Sequence, residues 1–179
     1  MTRIQVFVSS PKTYLSRQER FLQEIESLLN SHDLRPTTLG RSDYDMDAPL
    51  EAIRRLMASS CGLICIAFRR TFIEHGKDRP TSDKGEKERS RDGTWLTSSY
   101  SQIEPAMAYQ IGLPVLLWRE SGVVDDGVFD RGAVGLSMPV FDLDNPPNLN
   151  DSEWRQPLRE WIDLVRSVHR RRGTPPRLW

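Results

Sequence analysis

The sequence predicts an α/β protein of the flavodoxin-like class, a three-layer sandwich with a five-stranded, mainly parallel sheet at its centre. Three observations predict it. Short apolar or β-branched runs alternate with segments of helical periodicity along the 179 residues. The run from Cys61 to Phe68 is apolar almost throughout, as a strand covered on both faces must be. No internal repeat interrupts the alternation, and no composition break marks a second domain. The expected organisation is one domain over residues 1–172, with a mobile charged loop at 76–94 and a short tail at 173–179.

The elements follow in order. Ile4 to Val8 reads as a strand that stops at Ser9-Ser10-Pro11. Ser16-Arg17-Gln18-Glu19 has the capping-box pattern, and Phe21, Leu22, Ile25, Leu28 and Leu29 keep helical spacing after it. Leu34 to Leu39 is a short second strand, weakened by Pro36. The stretch Gly40 to Asp47 is polar and holds Asp43, Asp45 and Asp47; Pro49 then opens a helix with the stripe Leu50, Ile53, Leu56 and Met57. After the third strand, Gly76 to Thr94 carries 11 charged residues of both signs and no apolar side chain, so it reads as a solvated excursion or a lid. Ile103 to Ile111 is helical, Pro114 to Trp118 a fourth strand and Met138 to Leu143 a fifth. A last helix is expected from about Pro157, with the stripe Leu158, Trp161, Ile162, Val165 and Val168, and cations Arg170 to Arg172 at its negative end.

Composition narrows the function. Lys+Arg and Asp+Glu both number 25, so a general nucleic-acid binder is unlikely on charge alone. No apolar run approaches the length of a membrane span. Met1 to Val8 leads directly into a strand pattern without a signal-peptide layout, and Cys61 and Cys65 both sit in the apolar run, which together point to the cytoplasm. On one strand those two cysteines would share a face about 13 Å apart, too far for a metal pair. His32, His75 and His169 have no zinc spacing, and neither a dinucleotide fingerprint, a phosphate-binding loop nor a Gly-x-Ser-x-Gly elbow occurs. No cofactor or metal is expected.

The segment Ser98-Ser99-Tyr100-Ser101-Gln102-Ile103-Glu104 lies between the third strand and the helix that precedes the fourth. With Val6-Phe7-Val8-Ser9 at the first strand and the acidic loop from Asp43, it resembles Toll/interleukin-1 receptor (TIR) domains and their relatives, the nucleoside 2-deoxyribosyltransferases. The TIR pattern Ser-x-Trp-Cys-x-x-Glu matches at Ser98 and Glu104 and departs at Tyr100 and Ser101. Deoxyribosyltransferases usually place an Asp where Ser98 stands, and the triplet Asp92-Gly93-Thr94 falls twelve residues before Glu104, which favours the TIR branch. The resemblance spans roughly residues 3 to 171.

What the resemblance implies is cleavage of an N-glycosidic bond through an oxocarbenium-like state, with NAD+ as substrate and a place in bacterial defence signalling. Glu104 would be the catalytic carboxylate, and Ser98 would hold it or the ribose hydroxyls. Ser9, Ser10, Asp43 and Asp45 would line the nucleotide cleft, and Trp95 or Tyr100 would stack on a base. The family also implies assembly, as a homo-oligomer or filament. Two other functions stay open: a nucleoside or nucleotide 2-deoxyribosyltransferase or N-glycosidase, and a non-catalytic nucleotide-binding or self-assembling module. At the residue level, Ser101 to Glu104 is itself a capping box, so Glu104 has a purely structural alternative.

Overall fold

The computed structural model describes residues 3–39, 49–130 and 133–171. The strands are β1 (Ile4–Ser9), β2 (Leu34–Thr37), β3 (Leu63–Ala67), β4 (Thr71–Ile73), β5 (Lys77–Asp78), β6 (Arg89–Ser90), β7 (Thr94–Leu96), β8 (Val115–Arg119) and β9 (Leu136–Ser137). The helices are α1 (Ser16–Ser31), α2 (Pro49–Ser59), α3 (Tyr100–Gln110) and α4 (Ser152–Arg170), with a 3-10 turn at Gly127–Phe129. The main sheet has the order β2-β1-β3-β8-β9 and every pair in it is parallel. This is the flavodoxin-like order, as the sequence predicts. The winding reverses between β1 and β3, so the crevice beyond their carboxyl ends is where a ligand site belongs.

The period-two alternation of strands sorts the core into two layers. Val6, Val8, Ile64, Ile66, Leu116 and Trp118 face α1 and α4, where Phe21, Leu22, Ile25, Trp154, Leu158 and Trp161 meet them. Phe7, Leu63, Cys65, Ala67, Val115 and Leu117 face Ile53 and Met57 of α2 and Ala108 of α3. Cys61 belongs to the first layer and Cys65 to the second. The two thiols therefore do not share a face, because Cys61 precedes β3 and escapes its alternation. Both are free and buried.

Three elements differ from the sequence reading. The charged stretch 76–94 is not devoid of regular structure: β4 pairs with β7 and β5 with β6, all antiparallel, in one extended hairpin. Its outer part is laced by Lys77–Glu88 (2.7 Å), Arg79–Glu86 (2.9 Å) and Arg91–Asp78 (2.6 Å), contacts that a hydropathy pattern does not signal. The fifth strand falls at Leu136–Ser137, before the expected Met138 to Leu143. Gly135, at φ +59°, brings the chain so close to β8 that a Cβ there would lie 2.3 Å from Val115 O. Pro139, with no N–H, interrupts the ladder, which resumes only as a bridge between Glu120 and Phe141. Finally, α4 starts at Ser152, five residues before Pro157, because Trp154 packs on Trp118 (5.5 Å between centroids) and brings the first turn into the core.

The start of α1 also differs in detail. Gln18, rather than Ser16 and Glu19, closes the first turn: its Oε1 accepts the N–H groups of Tyr14 (3.1 Å) and Leu15 (3.3 Å). Its Nε2 donates to Arg69 O (3.1 Å), which ties the entry of α1 to the exit of β3. Among the described residues no helix is long and apolar enough to cross a membrane.

Candidate active site at the switch point

Glu104 lies one turn into α3, and α3 packs against β3 and β1. The helix opens after Ser99, with Ser98 O accepting Ser101 N–H (3.0 Å) and Ser99 O accepting the N–H groups of Gln102 (3.0 Å) and Ile103 (3.1 Å). Ser101 is therefore inside the helix, not its cap, and Glu104 is too far along to close a capping box. The capping-box reading of Glu104 therefore does not hold.

The carboxyl group is buried, with 7 % of the residue exposed, and is engaged in no ion pair among the described residues. Burial pushes its pKa from 4.5 up to about 7, against a smaller lowering by the Ser9 hydroxyl. Ser9 ends β1 and is itself buried. Its Oγ makes no hydrogen bond of regular geometry among the described residues, yet it stands near enough to Glu104 and Cys65 to lower the pKa of both. The Ser9 hydroxyl and the Glu104 carboxyl thus form a buried polar pair where β1 ends.

Cys65, opposite Ser9 on β3, is the third member of this buried group, none of which lines the open cleft at the amino end of α3. Pro105 has no N–H to give Ser101 O, the carbonyl four residues back, and the Cys65 thiol sits 3.6 Å from that oxygen as donor. Burial holds the Cys65 pKa up at about 12, with the Ser9 hydroxyl lowering it and the Glu104 charge raising it further. The thiol stays protonated, so it is a donor and not a nucleophile. This role of Cys65 and Pro105 was not read from the sequence, where Cys65 is one more apolar residue of a strand. The cue was available: a proline one residue after Glu104 frees a carbonyl at a predictable offset.

An open cleft adjoins the amino end of α3, lined by Trp95, Leu96, Thr97, Ser98, Ser99, Gln102, Val123, Val124 and Asp126. Gln102 clips its far wall to α3: Nε2 donates to Asp126 O (3.2 Å) and Oε1 accepts Val128 N–H (2.9 Å). Ser98 lines this cleft and its Oγ accepts Tyr100 N–H (3.2 Å); it makes no bond to Glu104, and Ser9 stands beside the carboxyl instead. Trp95 lines the cleft as well, with Phe72 4.9 Å away between ring centroids and the Arg69 guanidinium 5.9 Å from its own. Tyr100 is 41 % exposed on α3 and does not line the cleft. Ser10 is half-buried beyond the end of β1. Asp43 and Asp45 lie outside the described residues. No cluster of His, Cys, Asp or Glu among the described residues has the makings of a metal site.

No protein-family model matches the chain, and no curated protein matches it. Among solved structures, the chain is similar to a CMP N-glycosidase of Clostridium botulinum, with 11 % identity and a TM-score of 0.49 over 88 % of this chain and 98 % of that one. It is also similar to a flavodoxin-like domain from a Synechococcus protein, with 11 % identity and a TM-score of 0.44 over 93 % of this chain and 99 % of that one. Likenesses at this level carry no assignment of activity; that rests on the residues.

Proposed function

We propose that the chain is a nucleotide N-glycosidase of TIR-like type, with Glu104 as its catalytic carboxylate and NAD+ or a related nucleotide as substrate. The observation that supports this most is Glu104 itself. It is a buried carboxyl at the switch point of a doubly wound sheet, burial raises its pKa to about 7, and among the described residues no helix cap or ion pair accounts for it. In its ionised form it would stabilise, or attack, the positive anomeric carbon as the base departs. The nicotinamide of NAD+ leaves as a neutral molecule, so its departure needs no second group to protonate it. Ser9, as donor, would hold the carboxylate or a sugar hydroxyl, and the cleft along Trp95 and Ser98 would take the rest of the nucleotide.

The test is base release from NAD+, CMP and deoxyribonucleosides, followed by chromatography. Free nicotinamide or cytosine, lost in Glu104→Gln, supports the reading. Base exchange between deoxyribonucleosides instead would support a transferase. No release from any of the three, alone or at high protein concentration, contradicts an enzymatic role.

A second reading, self-association through α3, has its own observation in favour. Tyr100 and Ile103, three residues apart on α3, and Ile111 at its C-cap are all exposed, at 41 %, 39 % and 43 %. On this reading the face that carries Tyr100 and Ile103, with Ile111 at the C-cap, would be covered by a second copy, opposite the side where Ala108 is buried.

A further inference from the structure

We propose that Arg69, anchored by Glu120, is a positioning residue that fixes Trp95 as a wall of the cleft and so sets which flat group the cleft accepts. The selectivity half of this rests on the cleft being a nucleotide site. Glu120 follows β8 and is 1 % exposed, and its carboxylate accepts Arg69 N–H at 2.7 Å and faces Arg69 Nε at 3.8 Å. The guanidinium then donates from Nε to Ser121 O and from Nη2 to Ser121 Oγ, both at 2.6 Å. Its carbon lies 5.9 Å from the Trp95 ring centroid, within cation–π range.

The main chain closes the same circle. Trp95 N–H donates to Gly122 O and Val124 N–H to Trp95 O, each at 2.9 Å. Gly122 is at φ +79°, and a Cβ there would lie 3.3 Å from Trp95 Cδ1 and 3.7 Å from Arg69 Nε. One planar cation thus joins the exits of β3 and β8 to β7, at the point where the ring meets the cleft. A lysine would keep the charge and lose the fork that addresses Ser121 twice. A wall held from behind costs less ordering when a ligand arrives, and its tilt decides which ring lies flat beside it.

The experiment is fluorine NMR of protein labelled with 5-fluorotryptophan, the Trp95 signal being assigned with Trp95→Phe. In Arg69→Met and in Arg69→Lys the Trp95 signal is expected to shift while those of Trp118, Trp154 and Trp161 stay in place. A Trp95 signal unmoved in both variants overturns the clamp. Should Arg69→Met displace all the signals, the milder Arg69→Lys decides by the same criterion. With NAD+ as the probe, Arg69→Met is expected to raise KM for nicotinamide release about tenfold and to leave kcat within about twofold. An unchanged KM beside a shifted Trp95 signal overturns the selectivity role. Wild-type protein that releases no nicotinamide refutes NAD+ hydrolysis and leaves the fluorine result to judge the clamp alone.

Discussion

Glu104 carries opposite demands on folding and on chemistry. Its carboxyl is easiest to bury when protonated and useful when ionised. Because the folded-state pKa lies above the unfolded value, the protonated group favours the fold fully below about 4.5, and that contribution is lost as pH rises through about 7. A displacement from 4.5 to about 7 corresponds to roughly 3 kcal/mol. Glu104→Gln should therefore melt several degrees higher than wild type at pH 8, with the gap closing towards pH 4.5. Thermal melts across that range check this; a variant less stable than wild type at pH 8 would return Glu104 to a structural role. At the same scale, Ser9→Ala removes the hydroxyl that lowers the Glu104 pKa, so any pH midpoint set by Glu104 should move upward. A midpoint that stays put or falls would separate Ser9 from the carboxyl. The sequence pointed to Glu104, Ser98, Ser9 and Trp95 through its resemblance to the TIR pattern, and Ser98 and Trp95 line the cleft. It did not reveal that Ser9, and not Ser98, stands beside Glu104, since the partner is set by how α3 lies across β1 and β3.

At the scale of elements, the hairpin from β4 to β7 divides into two halves held by different forces. The inner half has the Phe72–Trp95 contact and main-chain bonds of Trp95 to Gly122 and Val124. The outer half has the exposed ion pairs Lys77–Glu88 and Arg79–Glu86, each of little worth in water and screened by salt, beside the half-buried pair Arg91–Asp78. Amide exchange should show protection at 77–79 and 88–90 falling in about 1 M salt, where the Debye length is about 3 Å, while 71–73 and 94–96 keep theirs. Equal loss in both halves would contradict the division. This hairpin was not legible because its outer pairing is accompanied by charge complementarity within the stretch from Lys77 to Arg91, with no apolar alternation to announce it. By contrast, β1 and β3 were legible to within two residues, since burial on both faces demands apolar runs. The position of β9 and the start of α4 escaped because a glycine contact with Val115 and a tryptophan contact with Trp118 decide them, both made by distant residues.

For the whole molecule, a formal charge of zero leaves little repulsion between copies, and α3 offers them an apolar face. If that face is used, sedimentation should show mass rising with protein concentration, and the double change Tyr100→Ser with Ile103→Ser should abolish the rise without lowering the melting temperature by more than a few degrees. Mass that rises equally in the double variant places any association elsewhere. The sheet order meanwhile gathers the candidate chemistry at the centre of the sheet: Ser9 ends β1, Cys65 pairs with it on β3, and α3 packs Glu104 against both strands. The central claim is that this buried carboxylate breaks an N-glycosidic bond. Its most direct test is the rate of nicotinamide release from NAD+ between pH 5 and 9 for wild type and Glu104→Gln. The wild-type rate should rise with pH to a midpoint near 7, and Glu104→Gln should stay folded and show no turnover. A Glu104→Gln variant that keeps the wild-type rate would contradict the claim.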